Sequence, residues 1–235
     1  SDSDNGISLA VDASSGDVYM CGVTSSTNGI ATVSSHQSSI GGGAMTDAFL
    51  VKFNSSGVRQ WGTYYGGNSS DICHRCVVDA SGNIYMSGTT ELTVTASSTV
   101  IATPGSHQSS FGGGMNDAFL VKFNSSGVRQ WATFYGGSSF DFGNSCTTYS
   151  NDVYLSGTTA STNSAISTLA CHQAANGGGL YDAYLVKFNS SGVRQWATFY
   201  GGVGDDLGYS CASDALGNVF LAGPTTTSAS GVIAT

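Results

Sequence analysis

One fifteen-residue string constrains this chain more than any other feature. Asp47 to Trp61 reads DAFLVKFNSSGVRQW, Asp117 to Trp131 reads the same letter for letter, and Asp182 to Trp196 differs only in having Tyr184 for Phe. Each copy runs on into an aromatic-Gly-Gly end, at Tyr65-Gly66-Gly67, Tyr135-Gly136-Gly137 and Tyr200-Gly201-Gly202. The tryptophans are spaced by 70 and then 65 residues. A second element alternates with the first. Cys76 to Gly88 (CVVDASGNIYMSG) matches Cys211 to Gly223; Leu9 to Gly22 carries one residue more, and Cys146 to Gly157 has a shortened turn. Fixed-period self-similarity on this scale marks a chain built by stacking one supersecondary unit on the next.

Each unit reads as four short strands. Val77-Val78 leads into a turn, followed by NIYMS at 83–87, AFLVKF at 118–123 and VRQWATFY at 128–135. β-branched and aromatic residues concentrate in these runs, and no segment holds a helical apolar period over three turns. Asn-Ser-Ser-Gly at 54–57, 124–127 and 189–192 fits a hairpin loop whose last residue needs φ > 0, which Gly57, Gly127 and Gly192 supply. Asp-Ala-Ser-Gly at 79–82 and Asp-Ala-Leu-Gly at 214–217 repeat that logic. Four antiparallel strands repeated in register predict the blades of a β-propeller. A β-solenoid has shorter coils, and a sandwich does not need near-identical repeats.

The string G-G-x-x-x-D, then V-D-x-S-G-N-x-Y-x-x-G-T-T, then H-Q-x-x-x-G-G-G, then D-A-F-L-V-K-F-N-x-S-G-x-x-x-W-x-T-x-Y-G-G resembles the SBBP-type β-propeller repeat. That resemblance implies an extracellular or cell-surface propeller and brings no catalytic residues with it. His-Gln stands here where the family usually has an aromatic-Gln. By analogy with propellers in general, the V-D strand lines the centre and VRQWATFY lies outermost. The expected divisions are blade 1 at 1–67, blade 2 at 68–137, blade 3 at 138–202 and the first half of a fourth at 203–235. About three and a half blades do not close a ring easily, since closed rings take roughly four to eight. Three readings stay open: a window from a longer array, two chains completing one ring, or ends pairing into a filament.

Composition narrows the partners. Only 9% of the residues are charged, and seven basic residues against fifteen acidic give a net charge of −8. Seven cations are too few for a phosphate-neutralising groove, which argues against nucleic acid. No run reaches the roughly 18 apolar residues of a membrane-spanning helix, so membrane insertion is not expected. The polar surface must come mainly from Ser, Thr, Asn and Gln, which suits a secreted protein.

The chemistry-bearing residues mostly recur once per unit. Asp4, Asp71, Asp141 and Asp206 open the first strands, and Asp47, Asp117 and Asp182 open the third strands. Asp ahead of a turn commonly caps backbone N–H groups. The competing reading makes Asp4, Asp71, Asp141 and Asp206 the candidates for a cation, with calcium the natural choice, although calcium needs six to eight clustered oxygens. No cofactor is otherwise expected. His36, His107 and His172, each followed by Gln, read as turn or packing residues, whereas His74 stands alone and is expected to be exposed. Six cysteines (Cys21, Cys73, Cys76, Cys146, Cys171 and Cys211) permit up to three disulfides in fifteen pairings. The Cys73–Cys76 spacing lacks the second pair a zinc site needs and the βαβ setting of a redox motif. Asn54, Asn68, Asn124 and Asn189 sit in Asn-x-Ser sequons. The Gly-Gly-Gly runs lack the Gly-Lys-Ser/Thr of a phosphate loop. Glu91 is the only glutamate, which thins the case for a paired-carboxylate glycosidase.

These features predict a non-catalytic repeat protein acting as a structural or adhesive surface scaffold, such as a fibre or matrix subunit. It would self-associate through blade edges or chain ends. Trp61, Tyr64 and Tyr65 lie on an outer strand whose edge must be covered by an insert or by a partner. The alternative is a propeller that binds surface glycans or another ligand in the inserts at 23–46, 89–116 and 158–181. A propeller enzyme would build its site once, and no unique cluster of acid, base and nucleophile is visible.

Overall fold

A computed structural model describes residues 2–42, 45–91, 98–163 and 165–226. Three four-stranded antiparallel sheets follow one another in chain order. The first holds β1 (Asp4–Val11), β2 (Val18–Thr24), β3 (Asp47–Phe53) and β4 (Arg59–Tyr65). The second holds β5 (Asp71–Val78), β6 (Ile84–Glu91), β7 (Asn116–Phe123) and β8 (Arg129–Tyr135), with one helical turn, α1 (Ser98–Ile101), in its insert. The third holds β9 (Asp141–Tyr149), β10 (Asp152–Thr159), β11 (Asp182–Phe188) and β12 (Arg194–Tyr200). A two-stranded sheet of β13 (Ser210–Ser213) and β14 (Val219–Ala222) is the last among the described residues. This is the all-β, blade-by-blade architecture of a propeller repeat. No helix among the described residues is long and apolar enough to cross a membrane.

The turn glycines take the backbone that the hairpins require, with φ of 76° at Gly57 and 79° at both Gly127 and Gly192. The apolar runs of the third strands are explained by stacking. A strand buried on both faces loses the alternation of a half-exposed one, and β7 is buried along its whole length after Asn116. Tyr19, Cys21, Leu50 and Tyr65 of the first sheet pack against Cys73, Met86, Phe119 and Phe123 of the second. Tyr85, Leu120 and Tyr135 repeat this against Leu155, Tyr184 and Phe188. The first strands meet one another, β5 against β1, β9 against β5 and β13 against β9. Each of β1, β5 and β9 carries a register shift near its start, which sets Ile7, His74 and Asn144 outside the pairing.

The aromatic outer edge is covered by the insert of the same sheet. Tyr64 N–H donates to the Gln37 carbonyl and Thr32 N–H to the Gly62 carbonyl; Gln108 and Thr103 do the same along β8, and Gln173 and Thr168 along β12. Arg59, Arg129 and Arg194 clamp the start of each insert by donating to the carbonyls of Gly29, Val100 and Ala165. Tyr64 and Tyr65 are therefore fully buried and Trp61 half-buried. One expectation is corrected: His74, left unpaired at the register shift of β5, is half-buried rather than exposed, and burial lowers its pKa.

Candidate functional site

The recurring polar residues gather where one sheet hands over to the next. At the first junction Asp47 opens β3 and Asp71 opens β5, and the Gly66-Gly67 link runs between their carboxyls. Asp47 Oδ2 accepts from Gly41 N–H at 2.8 Å and from Gln37 Nε2 at 2.9 Å, while Asp71 Oδ2 accepts from Gly67 N–H at 2.7 Å. Gln37 Oε1 closes the set by accepting from Gly66 N–H at 3.0 Å. The second junction repeats these bonds with Asp117, Gln108, Gly112, Gly136, Gly137 and Asp141. The third repeats them with Asp182, Gln173, Gly177, Gly201, Gly202 and Asp206. A Cβ on Gly66 would stand 2.5 Å from Asp47 Cγ and 2.7 Å from Asp71 Oδ2, so the two carboxyls leave room for glycine alone. Of the aspartates of the cation reading, Asp71, Asp141 and Asp206 thus lie apart, each at its own junction. Asp4, with no sheet before it among the described residues, is exposed and is bonded by the hydroxyls of Thr24 and Ser26.

Burial sets the protonation of these acids. It pushes Asp71 and Asp117 up to about 8, and the neighbouring Asp47 and Asp141 charges add to that push. Burial raises Asp47 and Asp182 to about 6. Asp141 is raised less freely, because Thr159, Gly137 and Ser161 all donate to it. Oδ1 of Asp71, Asp117, Asp182 and Asp206 is buried with no hydrogen-bond partner among the described residues. At Asp71, Asp117 and Asp182 such an oxygen favours a neutral, protonated carboxyl over an ion. Among the described residues no group of three or more His, Cys, Asp or Glu is placed to hold a metal ion. The junction can hold a proton and lock two sheets.

Aromatic residues cover the junction. His36 lies 6.0 Å from Tyr65 and meets Phe123 of the next sheet edge-on at 5.7 Å; His107 repeats this with Tyr135 and Phe188. Burial, helped by Arg129 and Arg194, lowers both imidazoles to about 4, so they pack as neutral rings. His172 stacks on Tyr200. Tyr65 and Tyr135 hydroxyls donate to the carbonyls of Ile101 and Ile166 in the following insert. The hairpins are held from the preceding sheet. Trp61 Nε1 and Lys52 Nζ both donate to the Ser125 carbonyl, and Trp131 and Lys122 both donate to that of Ser190. An open recess of about 360 Å³ lies between the His107 insert and the 191–194 hairpin, with Trp131 and Arg194 in its lining.

Asn54, Asn124 and Asn189 each spend their side-chain oxygen on the turn, accepting the N–H groups two and four residues on. Asn68 is exposed. None of the six cysteines is joined in a disulfide in this structure; Cys21, Cys73, Cys76, Cys146 and Cys211 are buried and Cys171 is half-buried in the third insert. Cys76, Cys146 and Cys211 hold one register position, whereas Cys21 reaches across a junction to Cys73. Sequence reasoning did not single out the Gln side chains, which join the two carboxyls through the glycine link. Their recurrence after each His was the available signal.

Residues 60–91 match the family model of SBBP, described as Beta-propeller repeat. The matched stretch runs from β4 across the first junction to the end of β6, and so contains Gly66, Gly67, Asp71, Cys73 and Cys76. No curated protein matches the chain. The chain carries the SBBP beta-propeller repeat, matched at residues 60–91, and its own recurring sheets and junctions extend that blade pattern along the described residues.

Proposed function

We propose that this chain is a non-catalytic extracellular scaffold, a structural or adhesive surface protein whose blades associate head to tail with those of a second copy. One observation carries the reading: among the described residues, the outer faces of the first and last sheets present residues that the internal junctions bury. Leu9 is 64% exposed, yet it occupies the register position of Cys76, Cys146 and Cys211, each buried against the preceding sheet. Phe220 is 58% exposed, whereas Tyr19, Tyr85 and Tyr154 at the same position are buried beneath the following sheet. These faces are the two halves of one apolar interface that the chain already makes internally. Joined between copies, they form a heterologous contact, which generates rings or filaments. The low charge and Ser/Thr-rich surface suit a site outside the cell. The engagement of every junction carboxyl with backbone N–H groups supports a non-catalytic role. Light scattering of the 235-residue chain across a concentration series, with negative-stain imaging, tests this. Growing oligomers that Leu9→Asp abolishes are expected; a monomer at every concentration overturns it.

The recess beside His107 favours a second reading, a propeller that binds surface glycans or another small ligand. Its lining joins an indole, at Trp131, to polar groups from the insert and the next hairpin, at Ser106, Ser191 and Arg194. Binding on a glycan array that Trp131→Ala removes, by a chain that stays monomeric, would select it.

A further inference from the structure

Cys21 lies on β2, opposite Ser8 on β1 and Leu50 on β3. Cys73 lies on β5, opposite Gly88 and just before the register shift of that strand. β5 packs against β2, so the two side chains meet across the first junction with their sulfurs 2.6 Å apart. Both residues are wholly buried. Nonbonded heavy atoms pack at roughly 3.5 Å or more, and a disulfide bond measures about 2.05 Å; the approach lies between the two. Cys76, beyond the register shift, places its sulfur against Ser8 and the Tyr19 carbonyl. The equivalent positions at the next junction are Ser87 and Gly143, and then Ser156 and Gly208. The thiol pair is thus a property of one junction and not of the repeat.

We propose that Cys21 and Cys73 form a disulfide that staples the first sheet to the second, with Cys76 left as a neighbouring thiol. As the Sγ–Sγ bond forms, the two thiols give up two protons and two electrons. A small disulfide oxidant such as oxidised glutathione takes them up and leaves as two thiols. Exchange proceeds through an accessible thiolate, and the closed junction buries both sulfurs, so the bond forms while the two sheets are still coming together. The bridge joins positions 52 apart in sequence, which constrains the unfolded chain and raises stability.

The test refolds the whole chain in a glutathione redox buffer, alkylates the remaining thiols, digests with trypsin and maps the products by mass spectrometry without reduction. Cleavage after Arg75 separates Cys73 from Cys76, so the two pairings of Cys21 are distinguishable. The expected result is a Cys21–Cys73 cross-linked peptide, with the other four cysteines alkylated and a melting temperature above that of the reduced chain. Cys76→Ser keeps both the link and the shift; Cys73→Ser loses both. Six alkylated cysteines after oxidative refolding, or a dominant link between any other pair, Cys21–Cys76 included, overturns the proposal.

Discussion

At the scale of single residues, the buried acids and the imidazoles above them pull stability in opposite directions with pH. Asp71 and Asp117 keep their protons in the folded chain up to about pH 8, against an ordinary carboxyl value of 3.8. The folded state binds more protons than the unfolded state across that window, so their contribution is fully present at low pH and is lost as pH rises through 8. His36 and His107 ionise near 4 when folded, against an ordinary 6.5. Their contribution is present above 6.5 and is lost as pH falls through 4. The two effects oppose each other between about pH 4 and 6.5; from there the acids lead the fall, and the buried thiols, whose values burial raises, add to it toward pH 9. The melting temperature is therefore expected to fall from about pH 6.5 to about pH 9. In Asp71→Asn the amide oxygen still accepts from Gly67 N–H while the titrating proton is gone, and the fall should flatten. Thermal melts followed by circular dichroism at several pH values check this, and an unchanged slope in the variant sinks the account. The recurrence of these aspartates was legible in the sequence. Their pairing was not, because Asp47 and Asp71 belong to different sheets and only the glycine link between them brings the carboxyls together.

At the scale of the element, each hairpin belongs energetically to the sheet before it. Trp131 is almost fully buried; its indole N–H is bonded to Ser190, and Gly192 sits close enough that a Cβ there would stand 2.8 Å from the ring. Trp196 has the same neighbours in sequence, but no further Asn-Ser-Ser-Gly hairpin follows it among the described residues. Removing a buried tryptophan costs about 3–5 kcal/mol, so Trp131→Ala should lose on that order and Trp196→Ala clearly less. Urea unfolding of the two variants measures the difference, and equal losses would mean that the hairpin contact contributes nothing. Strands and hairpins were readable because β-rich runs and Asn-Ser-Ser-Gly turns are local signals that recur in register. The inserts were not, because their bonds to the outer strand run between segments about thirty residues apart, beyond the reach of a local signal. The same limit hid the convergence of Cys21 on Cys73.

At the scale of the molecule, stacked units make stability approximately a sum of each sheet and its contacts with its neighbours. The second sheet has a partner on both faces, and its strands β6 and β7 are buried almost throughout. Among the described residues the two-stranded sheet has one neighbour, and alternate residues of β14 face outward. Opening free energies should therefore rise from the ends to the middle, since regions with few buried contacts open first. Hydrogen exchange of the dilute chain is expected to deprotect Ser210–Ala222 and Asp4–Val11 early and Asn116–Phe123 last. Head-to-tail association predicts a further change in that pattern. Raising the protein concentration should slow exchange at both outer faces together and leave the middle sheet unaltered, because one contact covers Leu9 of one copy and Phe220 of another. Protection that rises at a single face would instead place the partner surface elsewhere on the second copy. Protection independent of concentration would leave the terminal faces as ends without a mate.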